Sequence, residues 1–132
     1  MAISELGERV RNALAGRDDL AAAWLFGSRA RGTERTGSDI DVAILLRDDP
    51  PRTLDGLMLD LQDDLAGALG RPVDLVVMNR APADLVHRVL RDGELLVEND
   101  RSRRVRFEVA RRAEYHDLLP ILRRYRHREA AP

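Results

Sequence analysis

Leu6, Val10 and Leu14 recur at every fourth position, with Glu5, Glu8, Arg9 and Arg11 between them. That spacing predicts an amphipathic helix over Ile3–Ala15, stopped by Gly16. Ala21–Phe26 is a short apolar run cut off by Gly27. Alanine favours helix, but the length and the abrupt glycine predict a buried strand. Ser28 is placed to cap a short helical turn through Arg31, and Gly32–Ser38 has the composition of a loop. Ile40–Leu46 is apolar on both faces, as a central strand is. Arg47–Pro51 breaks the chain. A Leu/Met stripe at 54, 57, 58, 61, 65 and 69 predicts a helix over Leu54–Leu69, ended by Gly70. Val73–Met78 reads as a third strand, Asn79–Pro82 as a turn, and Ala83–Arg91 as a short helix closed by Gly93. Glu94–Glu98 reads as a fourth strand at a sheet edge. The last helix is expected over about 101–127, with apolar positions at Val105, Phe107, Val109, Ala110, Leu118, Leu119, Ile121 and Leu122. Pro120 lacks an N–H, so a kink or interruption is expected there.

Helices and strands alternating in this order predict an α/β (α+β) domain, a small mixed sheet of about four strands flanked by helices. At 132 residues the chain fits one domain, 1–132, with no internal repeat. Its 44% hydrophobic content is enough for a core and argues against disorder. The net charge of -1 argues against a dedicated nucleic-acid binder. The charge is unevenly spread, however. Between 101 and 128 ten arginines face only Glu108, Glu114 and Asp117, while residues 1–100 are acidic. A basic C-terminal helix on an acidic body suggests that the helix meets something acidic, such as a partner protein.

Cysteine is absent, which removes disulfides, thiolate metal sites and thiol nucleophiles. Every basic side chain apart from the three histidines is an arginine, so a Walker-type loop with its lysine is excluded. No apolar run approaches the ~20 residues of a membrane span, and no secretory signal pattern opens the chain. A soluble cytoplasmic protein is the expectation.

The candidate chemistry lies in Gly27–Leu46, where Gly27-Ser28 and Asp39-Ile40-Asp41 are separated by ten residues. On an extended chain, residues i and i+2 point to one face, roughly 6.5–7 Å apart. Asp39 and Asp41 therefore project together at the mouth of a buried strand. Hard carboxylate oxygens suit Mg²⁺, which keeps positions open for water and substrate phosphate. Asp74, within the apolar run Val73–Met78, is the candidate third acid, though Arg71 or Arg80 could pair with it instead. Three carboxylates on adjacent strands would suit two ions and phosphoryl or nucleotidyl transfer. Asp74 could also accept the nucleophile's proton. Gly27 lets a phosphate approach the backbone. Ser28 can receive phosphate oxygens at a helix N-terminus, with Arg29 and Arg31 to neutralise charge. His87 reads as a packing or surface residue, and His116, His127, Asp48–Asp49 and Asp63–Asp64 read as solvated.

The motif Gly27-Ser28-x10-Asp39-Ile40-Asp41 resembles the minimal nucleotidyltransferases of the polymerase-beta-like superfamily. Arg71–Pro82 (RPVDLVVMNRAP) and Val89–Glu98 (VLRDGELLVE) carry the resemblance further, and Phe107–Leu122 (FEVARRAEYHDLLPIL) is similar to its antitoxin branch. That branch is paired with HEPN-domain ribonuclease toxins. The resemblance implies a polymerase-beta-like fold and transfer of AMP from ATP to a tyrosine of the toxin, which silences it. It implies Asp39 and Asp41 as metal ligands, Asp74 as the third acid, and Gly27 and Ser28 as nucleotide-binding. A hetero-oligomer with the toxin is expected. Little chain is left over to hold an acceptor, so the C-terminal helix, with Tyr115, Leu118, Leu119, Leu122 and Tyr125, is the expected contact; the alternative is that its apolar side packs on its own sheet, and both can hold on different faces. Two other readings stand beside it: an antitoxin that only binds and occludes, and a transferase acting on a small molecule such as an aminoglycoside.

Overall fold

Alanine-rich Leu20–Phe26 is a strand, β1, and it lies inside the sheet rather than at its edge. The computed structural model describes residues 3–27, 39–49 and 55–130, with backbone alone at 55–57 and 126–130. Around β1 stand α1 (Glu5–Ala13), β2 (Ile40–Leu46), α2 (Asp55–Leu69), β3 (Val73–Val77), a 3₁₀ turn (Met78–Arg80), α3 (Ala83–Asp92), β4 (Glu94–Glu98) and α4 (Arg101–Ala130). The four strands form one mixed sheet in the order β3-β2-β1-β4. β1 runs antiparallel to β2 and β4, and β2 runs parallel to β3. The α/β (α+β) expectation and the edge position of β4 both hold.

Two apolar clusters sandwich the sheet. Val10, Leu14, Leu25, Ile40, Val42, Ile44, Leu61 and Leu65 join one face to α1 and α2. Ala21, Ala22, Trp24, Ala43, Leu45, Val86, Val89 and Phe107 join the other to α3 and α4. The alanines of β1 are fully buried, so packing decides their conformation rather than helix preference. A register shift between Leu20 and Ala22 puts the consecutive Ala21 and Ala22 in the same cluster.

Polar side chains close the ends of the elements. The Ser4 hydroxyl accepts from Gly7 N–H, so α1 begins at Glu5, two residues later than the apolar Ile3 suggests. At its other end α1 stops at Ala13, two residues early, and Gly16 turns the chain. Glu94 accepts from both the N–H and the hydroxyl of Ser4, which ties the start of α1 to the start of β4. Arg9 donates to the last carbonyl of α2, Leu69 O, at 3.2 Å.

β3 is shorter than the apolar run predicts, because Met78 enters the 3₁₀ turn. The cause is visible in Asn79. The β2–β3 pairing ends at Ile44 opposite Val77, which leaves Leu46 beyond it without a strand partner on that side. Asn79 Oδ1 accepts from Leu46 N–H at 2.9 Å, and its Nδ2 donates to Leu46 O at 3.2 Å. A side-chain amide thus continues the ladder. An Asn79→Ala variant should lose about 2–3 kcal/mol of stability by stripping both partners from a buried peptide unit. Urea titration checks this, and an unchanged midpoint would count against the assignment.

Two further expectations need correction. α3 runs one residue further than expected, to Asp92, and Gly93 closes it as read, with φ -77°. α4 runs through Pro120 to Ala130, without the expected interruption. Pro120 is exposed, so water can satisfy the carbonyl one turn back that it cannot serve. Val105, Val109 and Ala110 are exposed, while Phe107 is buried.

Candidate functional site

Strand register decides which polar side chains meet. Phe26, the last residue of β1, lies opposite Asp41. Asp41 lies opposite Asp74 on the parallel neighbour, where paired backbones run about 4.8 Å apart. Ile40, Val42, Val73 and Leu75 pack with the α1–α2 cluster. Alternation therefore turns Asp41 and Asp74 to the opposite face, that of α3 and α4. Asp39 precedes β2 by one residue, two before Asp41. Asp39 and Asp74 are exposed and Asp41 is half-buried. The three carboxylates stand where β1 ends and β2 and β3 begin.

Gly27 sits against this group. Its φ is 81°, a left-handed conformation that side chains disfavour. A Cβ added there would overlap the Asp41 carboxylate. Two independent constraints thus require glycine. The approach made by the backbone here is to a carboxylate, a reason that the motif alone does not reveal. Ser28, Arg29 and Arg31 lie outside the described residues, and so does the turn that Ser28 was expected to cap.

Among the described residues, no three acidic or histidine side chains stand close enough to hold a metal ion as placed. The donor chemistry nevertheless suits a hard divalent cation. Asp41 and Asp74 are register partners on adjacent strands, Asp39 lies two residues before Asp41, and all their donors are carboxylate oxygens.

A second polar feature lies between α3 and α4. Asp84, His87, Arg88, Arg91 and Tyr115 line a cleft of about 500 Å³. The His87 and Tyr115 rings stack with centroids 3.8 Å apart and planes within 2°. The packing role read for His87 is borne out. Its partner was not legible, because the two residues are on different helices with no spacing between them to read. Arg91 donates to both carboxylate oxygens of Asp92, at 3.0 and 2.9 Å. That hydrogen bond, and then the charge of Asp92, hold the Arg91 guanidinium above its ordinary pKa.

No helix among the described residues is long and apolar enough to cross a membrane. α4 has the length, but its arginines forbid it.

Residues 8–102 match the family described as polymerase beta, nucleotidyltransferase. Over 78 residues the chain is 40% identical to the protein adenylyltransferase MntA of Shewanella oneidensis. That match takes in 58% of this chain and 53% of the relative, so the chain spans about half the length of the curated relative it matches. A solved toxin–antitoxin with AMP-PNP is similar at TM-score 0.79 and 27% identity, covering 95% of this chain and 98% of the other. A mutant of the toxin–antitoxin MntA-HpeT reaches TM-score 0.77 at 27% identity, over 98% and 100% of the two chains.

Proposed function

The chain belongs to the polymerase beta nucleotidyltransferase family, and from that premise we propose that it is an antitoxin that transfers AMP from ATP to a tyrosine of a HEPN-domain ribonuclease toxin. The observation that carries the reading is the pairing of Asp41 with Asp74 beside Gly27, at the end of the sheet where β1 stops. Likeness to a protein adenylyltransferase and to a toxin–antitoxin with AMP-PNP supports the donor and the kind of acceptor. Residues 1–132 act as one minimal nucleotidyltransferase domain, at work in the cytoplasm where ATP is present.

The reaction forms one bond and breaks one. The tyrosine oxygen attacks the α-phosphorus of ATP, and the bond from that phosphorus to the oxygen bridging the α- and β-phosphates breaks. AMP stays on the phenolic oxygen and pyrophosphate leaves. Asp74, exposed on the strand beside Asp41, accepts the phenolic proton. Gly27, Ser28 and Arg29 bind the nucleotide, with the glycine allowing close backbone approach and Arg29 offsetting charge. Asp39, Asp41 and Asp74 would hold Mg²⁺, as two ions, and the metal would supply charge neutralisation of the triphosphate and a lower pKa for the attacking hydroxyl.

Incubation of the chain with ATP, Mg²⁺ and a HEPN toxin from the same genome should add AMP to the toxin, read as a mass adduct on the intact protein. An unmodified toxin, under conditions where the two proteins form a complex, would overturn the transfer reading.

A further inference from the structure

The face of α4 that holds it to the body does not end where the body ends. Phe107 is buried in the α3–α4 cluster, Arg111 donates to Asn79 O at 2.9 Å, and Tyr115 stacks on His87. Leu118, Leu122 and Tyr125 follow at alternating spacings of three and four. At 3.6 residues per turn these six positions fall within an arc of about 80°. Among the described residues, the contacts of α4 with other elements named above lie at or before Tyr115. Beyond it, Leu118 is 36% and Tyr125 66% exposed, with Leu122 between them half-buried. The last four turns, about 22 Å at 1.5 Å per residue, therefore continue the anchoring stripe as an arm.

We propose that this stripe, with the cleft at its root, docks an acidic amphipathic helix of the partner protein. The inference rests on the toxin–antitoxin reading and names the surface that reading requires. Spacings of three and four are the pattern of a helix–helix seam. Arg103, Arg104, Arg111 and Arg112 are paired with acids of this chain, while the arm beyond Tyr115 carries Arg123, Arg124, Arg126 and Arg128 against Asp117 and Glu129. Arg88 and Arg91 add to the positive charge where Tyr115 opens onto the cleft of about 500 Å³. An acidic side chain of the partner fits there, beside Arg88, which is exposed.

A second copy of this chain fits the stripe less well. Two arms laid together would set their arginines against each other, a like-charge arrangement that opposes pairing. Off α4, the exposed large hydrophobics among the described residues are Leu59 on α2 and Leu95 on β4, on different elements, and they make no matching stripe.

The test uses the full chain with the HEPN toxin. A Leu118→Gln, Tyr125→Gln variant should weaken toxin binding about 30-fold or more by calorimetry, since aromatic and aliphatic anchors carry most interface energy. Arg88→Glu should weaken it too, and its deficit should shrink as salt rises. Helix content and ATP affinity should not change in either variant, which separates lost docking from lost folding or a lost donor site. Wild-type affinity in the Leu118/Tyr125 variant would overturn the inference. So would a homodimer of the free chain, seen by sedimentation, that the same substitutions dissolve. A toxin that binds through the arm but receives no AMP would instead leave the docking surface standing and overturn the transfer reading alone.

Discussion

An Asp39→Asn, Asp41→Asn variant is expected to lose AMP transfer by about three orders of magnitude or more while keeping its fold. Asparagine matches aspartate in shape but not in charge. Two carboxylates leave the end of the sheet where three stand, and with them the negative donors that a divalent cation needs. Removing single electrostatic contributors to phosphoryl and acyl transfer already costs about 10²–10³-fold. The fold should survive because Asp39 is exposed and Asp41 half-buried, whereas the strand that follows is held by Val42, Ala43, Ile44 and Leu45 in the core. The measurements are the rate of label transfer from ATP to the toxin and a thermal melt. Retained transfer would remove Asp39 and Asp41 from the mechanism. The same variant separates catalysis from occlusion. If cells carrying the toxin are still protected by it, binding alone neutralises, and transfer is not what silences the toxin.

Gly27→Ala is expected to lower both stability and transfer. The left-handed φ of 81° alone costs a non-glycine residue about 1–2 kcal/mol. The added methyl also overlaps the Asp41 carboxylate, which must swing away or push the turn outward. A displaced Asp41 no longer faces Asp74 as its register dictates, so transfer should fall by more than the loss of folded protein explains. The two causes can be separated in a double-mutant cycle. With Asp41→Ala in the background the overlap disappears, and Gly27→Ala should then cost only the backbone strain. Equal costs in both backgrounds, by denaturant titration, would show that the contact with Asp41 carries no weight.

Sequence patterning located β1 to within one residue and β2 to the residue, because apolar runs there are bounded by glycine, aspartate and proline signals. It overran β3, since Asn79 ends the strand with a side chain reaching to the distant Leu46, which no local pattern reveals. It expected Pro120 to kink or interrupt α4, and the helix runs on without interruption, because the carbonyl left without its N–H partner is on an exposed helix where water can provide one. The candidate acids were picked out by chemistry: two at i and i+2 before a buried strand, and one inside an apolar strand, where Arg71 or Arg80 could also pair with it. Adjacent strands for these acids were part of that reading, but the register that sets Asp41 opposite Asp74 was not legible, because register in a parallel pair is set by the packing of both strands and the helix between them. Gly27 was read for the approach of a phosphate, but the structure adds a carboxylate already packed against it. The His87–Tyr115 stack joins two helices with no shared motif, and only the fold reveals it.

The parallel pairing of β2 with β3 has a consequence for how activity arises during folding. β1 and β2 pair antiparallel, but β3 joins only after α2 has carried the chain across the sheet. Non-local pairings of this kind close late, because the chain entropy lost in bringing them together is not recovered until the contact is complete. A chain caught with only its first two strands paired would hold Asp39 and Asp41 without their third companion. Onset of transfer after dilution from denaturant should therefore lag behind amide-hydrogen protection in the β1–β2 pair, as at Ala23 and Ile44, and the length of that lag would time the arrival of β3.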